Sequence, residues 1–365
     1  MNNLNSRNLT LFEFIVCIHS LQLASGLLIM PSPMASTAGS DGWVSVVLGW
    51  FITSIIGVLI ICTLKKKPDM NLFELLTYYF GKWIGSLFII LYGFYFAFVA
   101  FNTLLKAIEI VKVWIFPEVP AYQIAILLLI PFCILSCSGV QEIIKYSVMV
   151  FFLTVLAPIF LIFSLKQSFH PLHLLPVLKD GIYPVLRAIK ETITPYAGLE
   201  IAYFLYPFLQ KKEKALTGII IANTGTMILY LYVTIICYLY FSPEGVKEII
   251  WPVFQLLKGV HFAFQERLEI IYIAYYLMVF STTIYPYLFF STYSIVYLSK
   301  RIKHYVLIFS FVLLIVAIFS FFTPNVNQFL FIYSLMDTVN ILFFMIFPVC
   351  FFLYIILFDR FMRRR

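Results

Sequence analysis

The chain has 365 residues, of which 62% are hydrophobic and 12% charged, with a formal net charge of +8. Soluble domains carry about 25% charged residues, so a mean hydropathy of +0.99 points away from a soluble enzyme and toward an integral membrane protein. The positive balance does not point to nucleic acid, because the basic residues stand in short clusters between apolar runs and so report topology.

Residues 1–10 are polar, with Arg7 the one basic residue, and no small-residue cleavage site follows a short apolar core. The first apolar run therefore reads as a retained span. Crossing the hydrocarbon takes about 20 apolar residues. That length predicts ten spans, at 10–30, 43–64, 83–112, 120–138, 143–165, 187–209, 215–241, 268–298, 304–322 and 329–358. One membrane domain, 1–365, results, with five-span halves at 10–165 and 187–358 and a basic tail at 359–365.

One set of connections holds Lys65, Lys66, Lys67 and Lys82, then Lys145, then Lys211, Lys212 and Lys214, then Lys300, Arg301 and Lys303. The short connections 31–42 and 323–328 on the other side hold no basic residue. By the positive-inside bias both termini are cytoplasmic. Inside, Asn71 to Phe80 reads as a short interfacial helix. Outside, Val253 to Leu257, after Trp251-Pro252, reads as an amphipathic stretch lying along the interface or over a site.

Two spans are interrupted. Span one runs Leu21-Gln22-Leu23-Ala24-Ser25-Gly26-Leu27 to Pro31, and span six runs Ile193-Thr194-Pro195-Tyr196-Ala197-Gly198-Leu199-Glu200. Glycine weakens a helix and proline removes a helical amide. Non-helical backbone is tolerated at membrane depth only where it lines a protected cavity. Freed amides there suit a carboxylate, and freed carbonyls an ammonium or another cation. Breaks at matching places in antiparallel halves are the pattern of inverted-repeat transporters. Each break taken singly also reads as a kink or a close-packing position.

The residues around the breaks define a candidate ligand site of Gln22, Ser25, Gly26 and Leu27 in span one and Tyr196, Ala197, Gly198 and Leu199 in span six. Asn102 at mid-depth of span three, and Thr282 and Thr283 in the polar cluster of span eight, complete it. The structural alternative for the span-eight hydroxyls is bonding to neighbouring helices. Pro195, Glu200, His19, Asp337 and Asn340 form a structural set or polar pathway. An intramembrane carboxylate such as Glu200 is costly enough to imply a role; stabilising the broken helix is favoured over ligand contact. Lys106, Glu109 and Lys112 stand at i,i+3 spacing and read as neutralising pairs.

The six cysteines lie in apolar runs as small hydrophobes, and no metal-ligand spacing is present. No phosphate loop or nucleophile motif appears. The sequence therefore predicts a non-enzyme with no cofactor, no metal and no nucleic-acid partner.

Ala24 to Pro31 resembles the first-span signature of the amino acid–polyamine–organocation (APC) transporter superfamily, and Tyr196-Ala197-Gly198-Leu199-Glu200 resembles its sixth-span signature. More narrowly, the chain resembles the B subunit of GerA-type spore germinant receptors, the spore permease family. Asp41-Gly42-Trp43, Phe80 to Ser86, Ile250-Trp251-Pro252, Gln265 to Glu269 and Asn327-Gln328 carry that resemblance from about residue 10 to the end. Ala24 stands where the family usually has a further glycine. The resemblance implies an all-α membrane fold of about ten helices, a 5+5 inverted repeat of APC/LeuT-like type with helices 1 and 6 broken. It also implies a nutrient sensor, most simply for an amino acid, in the spore inner membrane with A and C subunits. A proton- or sodium-coupled amino acid permease and a water or ion channel are the alternatives.

Overall fold

A computed structural model describes residues 8–24, 26–155, 157–260, 267–299, 301–322 and 324–362. Their regular elements are helices, with one isolated parallel bridge between Leu9 and Leu209. Among the described residues eight helical stretches are long and apolar enough to cross a membrane. Two further passes are assembled from short pieces on either side of a break, as the sequence predicts.

The first pass begins at a capping box. Thr10 accepts from the Glu13 amide at 3.2 Å, and Glu13 accepts from the Thr10 amide at 2.9 Å. It comprises α1 (Leu11–Leu23), α2 (Gly26–Ile29) and α3 (Pro31–Ala38). The connection expected at 31–42 is therefore largely helical. Pro31 starts a helix instead of ending one, because its missing amide is harmless in a first turn.

Next come α4 (Gly42–Lys66) and α5 (Leu72–Trp114). Gly81, at φ +76°, separates the expected interfacial helix at the start of α5 from the membrane pass. Asn71 caps that helix, accepting from the amides of Phe73 (3.0 Å) and Glu74 (3.2 Å), while Glu74 accepts from the Asn71 amide at 2.9 Å. Asn71→Ala should lower stability by about 1 kcal/mol, read as a fall in the thermal midpoint of the purified protein without loss of helix content.

After α6 (Ala121–Ser138), α7 (Val140–Thr154) and α8 (Ala157–Ile162), the sixth pass is built from α9 (Tyr183–Ala188), α10 (Lys190–Tyr196) and α11 (Ala202–Leu205). The amide of Leu9 donates to Phe208 O at 2.8 Å and that of Gln210 to Leu9 O at 3.0 Å, pinning the start of the chain beside the end of this pass.

α12 (Ala215–Tyr240) is followed by α13 (Pro243–Lys247) and α14 (Pro252–Lys258). The stretch 253–257 covers the bundle: Phe254, Leu256 and Leu257 are fully buried, and α14 packs on α2, α12 and α15. α15 (Leu268–Ser299) lies along α5, with Ser291 donating to Gly93 O at 2.9 Å. α16 (His304–Phe321), α17 (Val326–Asn340) and α18 (Phe347–Met362) complete the chain, the last two joined by a wider helical turn over 341–346. Helix thus continues through Met362 into the expected tail, where Asp359 lies 3.6 Å from Lys66.

Candidate functional site

The last four carbonyls of any helix lack an intrahelical partner. In α1 these belong to Ser20, Leu21, Gln22 and Leu23, and each receives a hydroxyl from another helix. Thr282 donates to Ser20 O at 3.1 Å, Thr283 to Leu21 O at 2.9 Å, Tyr230 to Gln22 O, and Tyr276 to Leu23 O at 2.7 Å. Hydroxyl hydrogens thus occupy carbonyls that were expected to face an ammonium or a cation.

The sixth pass breaks where Ala197 turns extended after Pro195 and Tyr196, and Gly198 takes φ +130°. A side chain is strained at that angle, and a Cβ there would also meet Gln22 Cγ at 3.1 Å. Two residues tie this break to the first. Gln22 Nε2 donates to Tyr196 O at 2.8 Å, and the Tyr230 hydroxyl lies 3.0 Å from Pro195 O while also serving Gln22 O. The Gln22 amide is committed further: Nε2 to Asn223 Oδ1 at 3.1 Å, and Oε1 accepting from Thr226 at 2.7 Å.

Glu200 is fully buried and serves the broken helix from both oxygens. Oε2 accepts from the Gly198 amide at 2.8 Å, and Oε1 accepts from Tyr95 at 2.8 Å and Tyr287 at 2.6 Å. From Tyr95 a polar chain continues to Asn340 Oδ1 at 3.1 Å. Asn340 Nδ2 donates to Thr194 Oγ1 at 3.0 Å, and Thr194 donates to Asp337 Oδ1 at 2.5 Å.

Between the breaks lies a cavity that offers about 40 Å³ to the centres of water-sized molecules. One water needs about 10–15 Å³ by that measure, so the space holds roughly three. Gln22, Gly26, Asn102, Pro195, Ala197, Thr283 and Asn340, all singled out from the sequence, line it. Tyr196 turns away to Val46 O at 3.0 Å, and Leu27 lines a separate apolar cleft with Tyr276. Thr282, Gly198 and Leu199 stand behind the wall, buried against the breaks. His19 lies a turn earlier, its Nδ1 2.9 Å from Thr226 Oγ1. Glu200 and Asp337 do not line the cavity and are linked to it by hydrogen bonds through Tyr287, Thr194 and Asn340. Ser25, and Gln265 and Glu266 of the stretch that carries the family resemblance, lie outside the described residues.

Lys106, which the spacing reads as half of a neutralising pair, also lines the wall. Its side chain faces the cavity, with Nζ 4.0 Å from the centre of the Tyr333 ring, while Glu109 Oε2 is buried without a hydrogen-bond partner among the described residues. The i,i+3 spacing fits pairing and divergence equally well. An intramembrane lysine is itself a functional signal. The tyrosines at 95, 230, 276 and 287 carried no such signal among 24 tyrosines. Among the described residues no group of three or more His, Cys, Asp or Glu could hold a metal ion.

A family model described as "Spore germination protein" matches residues 8–329. Spore germination protein YndE of Bacillus subtilis (strain 168) is 31% identical over 69% of this chain and 69% of its own length. Spore germination protein GerQB of Bacillus cereus is 26% identical over 85% of each. Spore germination protein A2 of Bacillus subtilis (strain 168) is 28% identical over 75% of this chain and 76% of its own. In three dimensions the chain is similar to Mhp1, a nucleobase-cation-symport-1 family transporter, in a closed conformation with bromovinylhydantoin bound. The TM-score is 0.55 at 11% identity, over 94% of this chain and 79% of that one. That likeness establishes the broken-helix transporter fold.

Proposed function

The chain belongs to the spore permease family of spore germination proteins, and from that premise we propose that it is the ligand-sensing membrane subunit of a nutrient germinant receptor. A small nutrient, an amino acid in the simplest case, binds in the cavity between the two breaks. The observation carrying this reading is that one small polar cavity touches both breaks, α5, α15 and α17 together. A ligand held there meets both halves of the bundle and biases its conformation, which is all that sensing requires. The spore inner membrane, cytoplasmic termini and partner A and C subunits belong to the same reading.

The experiment replaces the gene in a sporulating host by the Asn102→Leu variant and follows nutrient-triggered loss of spore optical density. The variant is expected to need at least tenfold more nutrient at wild-type protein level. An unchanged dose response would remove the cavity from the mechanism. The transporter fold of Mhp1 supports a second reading, a coupled permease. Liposomes holding the purified chain separate the two: saturable binding of labelled amino acid without uptake is expected for the sensor, and concentrative uptake would establish the permease.

A further inference from the structure

The polar groups around the cavity are almost all spent within the protein. Gln22 is committed at both ends, Thr103 donates to Val99 O, and Thr283 to Leu21 O. Tyr287 donates to Glu200, and Thr194 and Asn340 bond to each other and onward. Asn102 differs. It is 2% exposed and lines the cavity, yet neither Oδ1 nor Nδ2 has a partner among the described residues. A carboxamide with both ends unmet by protein groups is costly to leave unpaired, at about 1–3 kcal/mol per group, so a polar molecule in the cavity gains by meeting it. Lys106 lies four residues on, on the same helix face and in the same cavity wall.

We propose that Asn102 and Lys106 together read the zwitterion of an α-amino acid: the Asn102 carboxamide takes the ammonium at Oδ1 and the carboxylate at Nδ2, and the Lys106 ammonium takes the carboxylate's charge. This rests on the ligand-binding reading above and names the recognition groups within it. A carboxamide presents one acceptor and one donor side by side, matching the donor and acceptor of the α-carbon substituents. At the sixth break the Gly198 amide is already held by Glu200, so the donors offered to the carboxylate from α5 are Asn102 and Lys106. Charge balance favours a zwitterion over a free anion. Asp337 lies in electrostatic range of Lys106, so part of the lysine's charge is met within the protein. The small cavity favours short side chains.

The test is equilibrium binding to the purified full-length chain in detergent. Glycine, L-alanine and L-valine are compared with glycinamide, L-alaninamide and L-valinamide, which keep the ammonium but lose the anionic carboxylate. The wild type should bind at least one acid about tenfold or more tighter than its amide, in line with one charge-assisted hydrogen bond. Lys106→Met should erase that preference, so that acid and amide bind alike, whereas Lys106→Arg should keep it. Asn102→Leu should weaken acid and amide together. A thermal midpoint for each variant, together with retained binding of the amide by Lys106→Met, separates lost recognition from lost fold. Equal affinity of the wild type for acid and amide overturns the inference and leaves the ligand-binding reading standing, as does a preference that survives Lys106→Met. Binding of no probe by the folded wild type overturns both.

Discussion

Glu200→Ala is expected to give the largest loss of stability of any single truncation in the sixth pass, about 4 kcal/mol. Three donors converge on this carboxylate, the Tyr95 and Tyr287 hydroxyls and the Gly198 amide, all within 2.8 Å. The residue is wholly buried, so water does not take its place. A buried donor stripped of its acceptor costs about 1–3 kcal/mol. Tyr95 retains Asn340 Oδ1 as a second acceptor at 3.1 Å, so its share is the smallest. Glu200→Gln separates acceptance from size. It fills the same volume and keeps one oxygen for the tyrosines, but turns an NH₂ group toward the Gly198 amide. The cost should be about half that of Ala, concentrated at the break. Thermal unfolding in detergent supplies the ranking, Ala worse than Gln. Equal and small losses in both would mean that Glu200 does not hold the break and is available to the cavity instead.

The passes and their breaks are legible in the sequence because both are local. A run of twenty apolar residues has no other stable home, and Gly26, Pro195 and Gly198 disfavour helix wherever they stand. Family membership adds what local physics does not, the pairing of the two breaks in one fold. The identity of what satisfies each break is a different matter. Thr282 and Thr283 read equally well as pocket hydroxyls or as helix-to-helix donors, and only tertiary contact shows that both cap α1 carbonyls, with Thr283 also facing the cavity. The Lys106–Glu109 spacing is similarly neutral about direction. Pro31 misled for a local reason: at the end of an apolar run it looks like a terminator, but after Gly26 has restarted the helix it occupies a first-turn position where proline is accepted.

Gly26→Ala is expected to cost about 3 kcal/mol and to abolish the nutrient response, through Tyr230. A Cβ at Gly26 would stand 2.5 Å from the Tyr230 hydroxyl oxygen and 2.8 Å from Pro195 Cβ, closer than atoms pack. The tyrosine has little room to retreat, since its ring is fully buried and lies edge-on to Tyr196 at 5.4 Å. Forcing it out adds overpacking strain, about 1–3 kcal/mol, to the loss of the hydroxyl that serves Gln22 O and Pro195 O. Tyr230→Phe removes that hydroxyl without the clash and should cost about 2 kcal/mol. The two changes share one atom, so they cannot add. In the Gly26→Ala/Tyr230→Phe double variant the clash with the oxygen is gone and its hydrogen bonds are lost only once. The double should therefore be more stable than the sum of the singles by about 1 kcal/mol or more. Additive losses in thermal or denaturant unfolding would show that Gly26 and Tyr230 act separately. A measured coupling would show that a single hydroxyl, carried on α12, joins the first break to the sixth. A ligand between the breaks then acts on one coupled element, so that its binding energy is applied to both halves of the bundle at once.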